Sequence, residues 1–410
     1  MKLNCFIYVF LIFYFSCSDI GDNYNWNSKK DLNYIRNFGT IGYDYGWSGD
    51  YSPFDNGVII TGSQQKNISG QRDMWAIKTN DRGMLVWDKT FGGTNDEDGY
   101  DVISTSDGGF LFVGFSWSFG NEQQAYAVKT DYHGNVEWER TYGGSMWEVA
   151  NAVIETRDGS YMIVGYSNSP GISSGNTDIM LLKISDSGEK IWLKTYGNES
   201  FPNHEWGNDI IQIFDDGFII VGSRDRYQNG AQNELILRID KDGVKIWEKE
   251  IMSTGQSNEI AYSITNSQIG EIFVTSSVNN ENKKSVYKPK IIRMDASGNV
   301  EWSRVFESNS FSNHQFRSSS LKNGNLILVG SSNINTPFGK KDDAFITQLD
   351  NKGNILWTQA FGTNEEDDWG WTVFEKNIGE IIMIGSTKSF NSSLFDIFML
   401  STNIDVGEKN

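Results

Sequence analysis

The chain has 410 residues, with 42 glycines, 14% aromatic and 21% charged residues, which is ordinary folded material too long for one simple core unless that core repeats. Its net charge of -18 is spread along the sequence, which argues against a polyanion such as nucleic acid as partner. Only two cysteines occur, Cys5 and Cys17, both near the N-terminus, so the body of the protein has neither a disulfide nor a thiol nucleophile and relies on packing.

The chain opens on Met1-Lys2 and an apolar run from Cys5 to Phe15, too short to span a bilayer as a mature helix, then Ser16, Cys17, Ser18 and Asp19. Residues 1–17 are read as an export signal and 18–30 as a polar tether. A small residue directly before Cys17 resembles the cleavage site of bacterial lipoproteins, and the resemblance implies that Cys17 becomes the lipidated first residue. The alternative is a plain secretory signal in which Cys17 is incidental.

Residues 31–407 read as one repeat array. Trp87, Trp138, Trp192, Trp247, Trp302 and Trp357 recur 51 to 55 residues apart, a period that marks copies stacking apolar faces on one another. The second copy serves as template: Gly99 to Ser106, a turn at Asp107-Gly108, Gly109 to Ser116, a loop, Ala125 to Thr130, a turn from Asp131 to Gly134, then Val136 to Gly143. These are four short β-rich runs separated by Asp-Gly and Asp-x-x-Gly turns, without a sustained 3.6-residue period. Each copy is therefore predicted to be a four-stranded antiparallel meander, and seven can be counted. The seventh ends after three strands, while Leu32 to Gly39 aligns with Ile355 to Gly362 and supplies the missing fourth, with Tyr34 at the tryptophan position. Such a phase shift closes a ring and removes its exposed edges, so the expected fold is an all-β, seven-bladed β-propeller closed by an N-terminal strand.

The stretch Lys129-Thr-Asp131-Tyr-His-Gly134-Asn-Val-Glu-Trp138, followed by Tyr142-Gly143-Gly144, resembles the propeller repeats of secreted bacterial proteins, with copies at Asp186 to Trp192, Asp240 to Trp247, Asp295 to Trp302 and Asp350 to Trp357. It is also similar to quinone-binding dehydrogenase propellers. Those usually have eight blades and often a vicinal cysteine pair over the cofactor, and this chain has neither, so the resemblance implies the architecture and not the quinone chemistry.

In such a ring the loops between strands two and three and between blades share one face, where variable loops place a binding site. On that face, just before the innermost strand, an acidic residue precedes x-Gly or x-Ala in six of seven copies: Asp44, Glu97, Glu148, Glu205, Glu259 and Asp368, with Gln315 in the sixth. An acidic ring at the channel mouth would suit calcium or a cationic or sugar group. The same repetition fits a structural acceptor of backbone hydrogen bonds. Blade-specific aromatics are the other candidates, above all Trp117, Trp147, Trp206, Trp369 and Trp371, with Phe119, Phe201, Tyr227, Phe311, Phe338 and Phe390, because flat rings beside polar groups hold sugars or extended peptides. His133, His204 and His314 lack metal-ligand spacing, and no nucleophile elbow or phosphate loop is present.

The sequence thus predicts an exported, lipid-anchored monomer at the outer membrane or cell surface. Its loop-rich face would bind a glycan or an envelope protein, without a cofactor other than calcium. A glycosidase or lyase using acid pairs such as Asp367 with Asp368, or Glu97 with Asp98, is the alternative, and a purely structural envelope component a third.

Overall fold

The computed structural model describes residues 32–404 except 66–69, 170–175, 198–202, 226–230, 252–257, 281–282, 307–314, 337–338, 363–365 and 390–393, and leaves the side chains of 280–286 and 333–341 aside. The signal, the tether, Cys17, Phe201, Tyr227, Phe311, Phe338, Phe390 and His314 lie outside the described residues. Seven four-stranded antiparallel sheets form, and no helix occurs among the described residues. Blade one spans Asp44 to Phe91, blade two Glu97 to Tyr142, blade three Glu148 to Tyr196, blade four Glu205 to Ile251, blade five Glu259 to Val305 and blade six Arg317 to Phe361. Blade seven combines Asp368 to Asn403 with the N-terminal strand Leu32–Phe38, which pairs antiparallel with Asp396–Asn403. The architecture is the seven-bladed propeller expected from the repeat.

The motif residues have visible structural duties. The third-strand cation is buried or, for Lys183, nearly so, and paired with the aspartate of the turn between strands one and two: Lys78 with Asp55 at 2.7 Å, Lys129 with Asp107 at 2.8 Å, Lys183 with Asp158 at 2.6 Å and Arg238 with Asp215 at 2.6 Å. The aspartate of the next turn caps its own loop, as Asp131 accepts the backbone N–H groups of His133 and Asn135 at 2.8 Å. Trp87, Trp138, Trp192, Trp247 and Trp302 each sit against a turn glycine of the following blade. Gly188 takes φ 78°, and a Cβ there would stand 2.9 Å from the Trp138 ring, whose N–H donates to the Asp186 carbonyl at 3.0 Å. Apolar side chains of neighbouring blades interleave between the sheets, for example Leu111, Val113 and Ala127 of blade two with Val153, Ile163 and Leu182 of blade three. Core therefore lies between blades, and the inner strands are free to carry polar and aromatic groups at the axis.

Candidate functional site

The six acids that begin the inner strands are 0 to 6% exposed. They do not face an open channel mouth. Glu97 accepts the Gly93 N–H at 2.8 Å and the Ser116 hydroxyl at 2.6 Å, and Glu148 accepts Gly144 N–H at 2.9 Å and Ser167 at 2.7 Å. Asp44 holds Thr40 and Gln65 N–H, and Asp368 takes the hydroxyls of Thr387 and Ser389. Glu205 and Glu259 are instead paired with the cations Arg224 at 2.6 Å and Lys290 at 2.7 Å. Asp44, Glu97 and Glu148 thus tie the segment entering the blade to the end of its second strand, whereas Glu259 reaches a third-strand lysine. Burial pushes the Glu205 carboxyl up to about 7 despite its arginine. Among the described residues no three such groups converge to hold a metal ion.

Three residues further along, a register shift interrupts the pairing of the first two strands: at Gly46/Ser48, Gly99/Asp101, Ala150/Ala152, Gly207/Asp209, Ala261/Ser263 and Gly370/Thr372. The extra residue is Trp47, Tyr100, Asn151, Asn208, Tyr262 or Trp371, and bulges of this kind re-aim side chains. In blades seven, one and two they are aromatic, and ring closure makes those blades neighbours. Trp369 stacks on Phe395 with centroids 4.2 Å apart; Phe395 meets Tyr45 at 5.5 Å, Tyr45 meets Trp47 at 5.7 Å, Trp47 meets Trp371 at 4.9 Å, and Trp371 returns to Trp369 at 5.9 Å. Tyr100 and Phe115 continue the cluster from Trp47. Trp369, Tyr45 and Trp47 are half-buried, whereas Trp371 and Phe395 are buried beneath them, and the Trp371 indole donates to Ser386 at 3.1 Å. Trp371 is thus the floor of the patch and not a loop residue, and Trp206 and Trp369 likewise lie on inner strands.

Charged groups border this patch. Asp98 accepts the Trp47 indole N–H at 2.8 Å, Arg72 stands 3.7 Å from it, and Lys388 lies 4.3 Å above the Phe395 ring. Burial pushes the Asp98 carboxyl up to about 6, against the pull of Arg72 and of the indole. The remaining candidates fall into two further places. Trp117 and Trp147, 36% and 47% exposed, meet edge to face at 6.5 Å, with the Trp147 N–H on Glu122 at 3.1 Å. Trp206 stacks on His204, whose Nδ1 accepts the Thr177 N–H at 3.1 Å, and His133 sits in an exposed turn on the opposite face.

A second, half-buried acidic set, not anticipated from the sequence, latches blade to blade. Asp50 accepts the Ser104 N–H, Asp101 the Val153 N–H and Asp209 the Ile264 N–H, each from the next or adjoining inner strand, at 2.8 to 2.9 Å. Burial lifts the carboxyls of Asp50 and Asp209 to about 6. Arg317 of blade six acts electrostatically on both Asp101 and Asp209, which places its charge at the axis.

No protein-family model matches the sequence, and no curated protein matches it. Solved structures match the fold. A polysaccharide lyase, Uly1, superposes with a TM-score of 0.56 at 11% identity over 94% of this chain and 95% of its own; the Pan2 WD40 domain of Neurospora crassa gives 0.52 at 10% over 90% and 97%; Sqt1 from Chaetomium thermophilum gives 0.50 at 10% over 92% and 99%. At such identities the likeness is one of fold.

Proposed function

We propose that this propeller is a non-catalytic binding module, exported and held at the cell envelope through Cys17, that engages a glycan or a partner protein on the face where its inner strands begin. The observation that carries this reading is the closed aromatic cluster of Trp369, Phe395, Tyr45, Trp47 and Trp371, assembled from two blades that only ring closure brings together. Half-buried rings over a buried aromatic floor offer a rigid, flat, partly apolar surface, with Asp98, Arg72 and Lys388 at its border to orient polar groups. The ladder tryptophans have packing partners in the next blade; Trp47 and Trp369 repeat no such duty. Propellers of like fold include a polysaccharide lyase and a WD40 domain, which is compatible with glycan or protein ligands.

A second reading, a glycosidase or lyase on the same face, is favoured by Asp98 alone, a carboxyl near pH 6 beside the patch; its neighbour Glu97 is already committed to Gly93 and Ser116. A glycan array with and without calcium, run on the wild type and on Trp47→Ala/Trp369→Ala, tests the reading. Binding that falls by about tenfold or more in the variant, at unchanged melting temperature, is the expected outcome. Equal binding by the variant removes the patch from consideration, and turnover that disappears in Asp98→Asn would replace the binding reading by the enzymatic one.

A further inference from the structure

On the opposite face, where the N-terminal strand meets blade one, lies a recess of about 580 Å³, within the size range of small-ligand sites. Its walls come from both chain ends and from the turns of two blades: Asn33 and Tyr34 from the N-terminal strand, Asn403 from the last strand, Asn377 from the blade-seven turn, and Asn56 and Arg82 from blade one. In the other blades a hairpin turn joins strands three and four at this corner; here two separate strands flank it.

The polar bookkeeping of the recess is uneven. Glu380 is fully engaged, by Lys376 at 3.0 Å, Asn377 at 2.9 Å and Ser401 at 3.1 Å, and Lys376 also donates to the Asp81 carbonyl at 2.7 Å. Arg36 and Arg82 form no ion pair with a described residue, although Asp81 also borders the recess. The Arg36 guanidinium uses its terminal nitrogens on the carbonyls of Ile35 and Arg82, at 2.9 and 3.0 Å, and leaves its Nε–H buried without a partner. The Tyr34 hydroxyl beside it is buried against the Ser401 hydroxyl. A buried guanidinium N–H left unmatched is costly, and here it borders a recess that also holds a second arginine.

We propose that this recess is a second binding site, for an anionic saccharide: a carboxylate received by Arg36 and Arg82, with ring hydroxyls on the amide groups that Asn33, Asn377 and Asn403 keep beyond their bonds to one another, to Ser401 and to Glu380. Carboxylate suits guanidinium through paired N–H donors, and amides carry a donor and an acceptor side by side, as vicinal hydroxyls do. Because the walls belong to the two strands that close the ring, a ligand here ties the closure and raises the melting temperature of the whole propeller.

The test is calorimetric titration and thermal melting of the full chain with D-galacturonate, D-galactose and inorganic sulfate, repeated on Arg36→Gln and Arg82→Gln. Galacturonate is expected to bind and to raise the melting temperature, galactose to bind at least about tenfold more weakly, and each substitution to weaken galacturonate about tenfold. The Trp47→Ala/Trp369→Ala variant should keep this binding, which separates it from the patch on the other face. Sulfate binding as tightly as galacturonate would reduce the site to an anion hole and overturn the saccharide assignment. Absence of binding by all three, or binding unchanged in both variants, would overturn the site itself.

Discussion

Asp343 and Asp368, from blades six and seven, crowd the same point above Gly362. Asp343 is 7% exposed, and among the described residues one of its oxygens has no partner and no cation pairs with it as Arg224 pairs with Glu205. Burial, reinforced by the charges of Asp368, Asp342 and Asp367, pushes its carboxyl from 3.8 to about 8. The folded protein therefore keeps a proton that the unfolded chain releases above pH 3.8, so this group's stabilising contribution is complete below that value and is lost as pH rises toward about 8. Asp343→Asn fixes the neutral form. Its melting temperature is expected to exceed that of the wild type at pH 8 and to fall less between pH 5 and pH 8; parallel melting curves for the two proteins across that range would show that Asp343 does not titrate as described.

At the scale of one blade, the tryptophan and the next blade's turn glycine form a single device. Gly188 and Gly159 have nearly equal dihedrals, φ 78° and 77°, yet an added Cβ at Gly188 meets Trp138 and Arg140 while at Gly159 nothing lies within 4 Å. Gly159→Ala should cost only the left-handed backbone penalty, about 1–2 kcal/mol, and Gly188→Ala about 1–3 kcal/mol more for displacing the ring. Urea unfolding of both variants measures the difference, and equal losses would mean the ring yields freely. This device was legible in the sequence, since tryptophan and glycine each repeat and their interval reveals the period. The aromatic patch was only half legible. Trp369 and Trp371 stand out, but Tyr45 and Trp47 share their acid-aromatic-Gly-aromatic pattern at the far end of the chain, and a pattern shared by distant copies gives no hint that they touch. The acids were read as a candidate ring because repetition shows that a residue matters without saying whether it points to solvent or inward; the partners that turn them inward, such as Ser116 and Ser167, are ordinary strand serines.

For the whole molecule, the fold rests on one seam. The strand Leu32–Phe38 runs along Asp396–Asn403 and covers Ile35 against Leu400 and Phe398 in the core between blades six and seven. A chain lacking residues 32–38 leaves the last strand unpaired, and such strands recruit other chains. Size-exclusion chromatography with light scattering should then report larger species than the intact chain gives; a deletion of unchanged size and stability would make the seam dispensable. The seam also sets a timetable. Asn33 hydrogen-bonds Ser401 across a separation of 368 residues, so at ribosomal speeds of about 5–20 residues per second the first strand waits roughly 20–70 s for its partner to be made. Blades one to six hold all four of their strands in sequence and are free to form as they emerge, whereas the seventh, and with it the recess between the two ends, is assembled only after the last strand arrives.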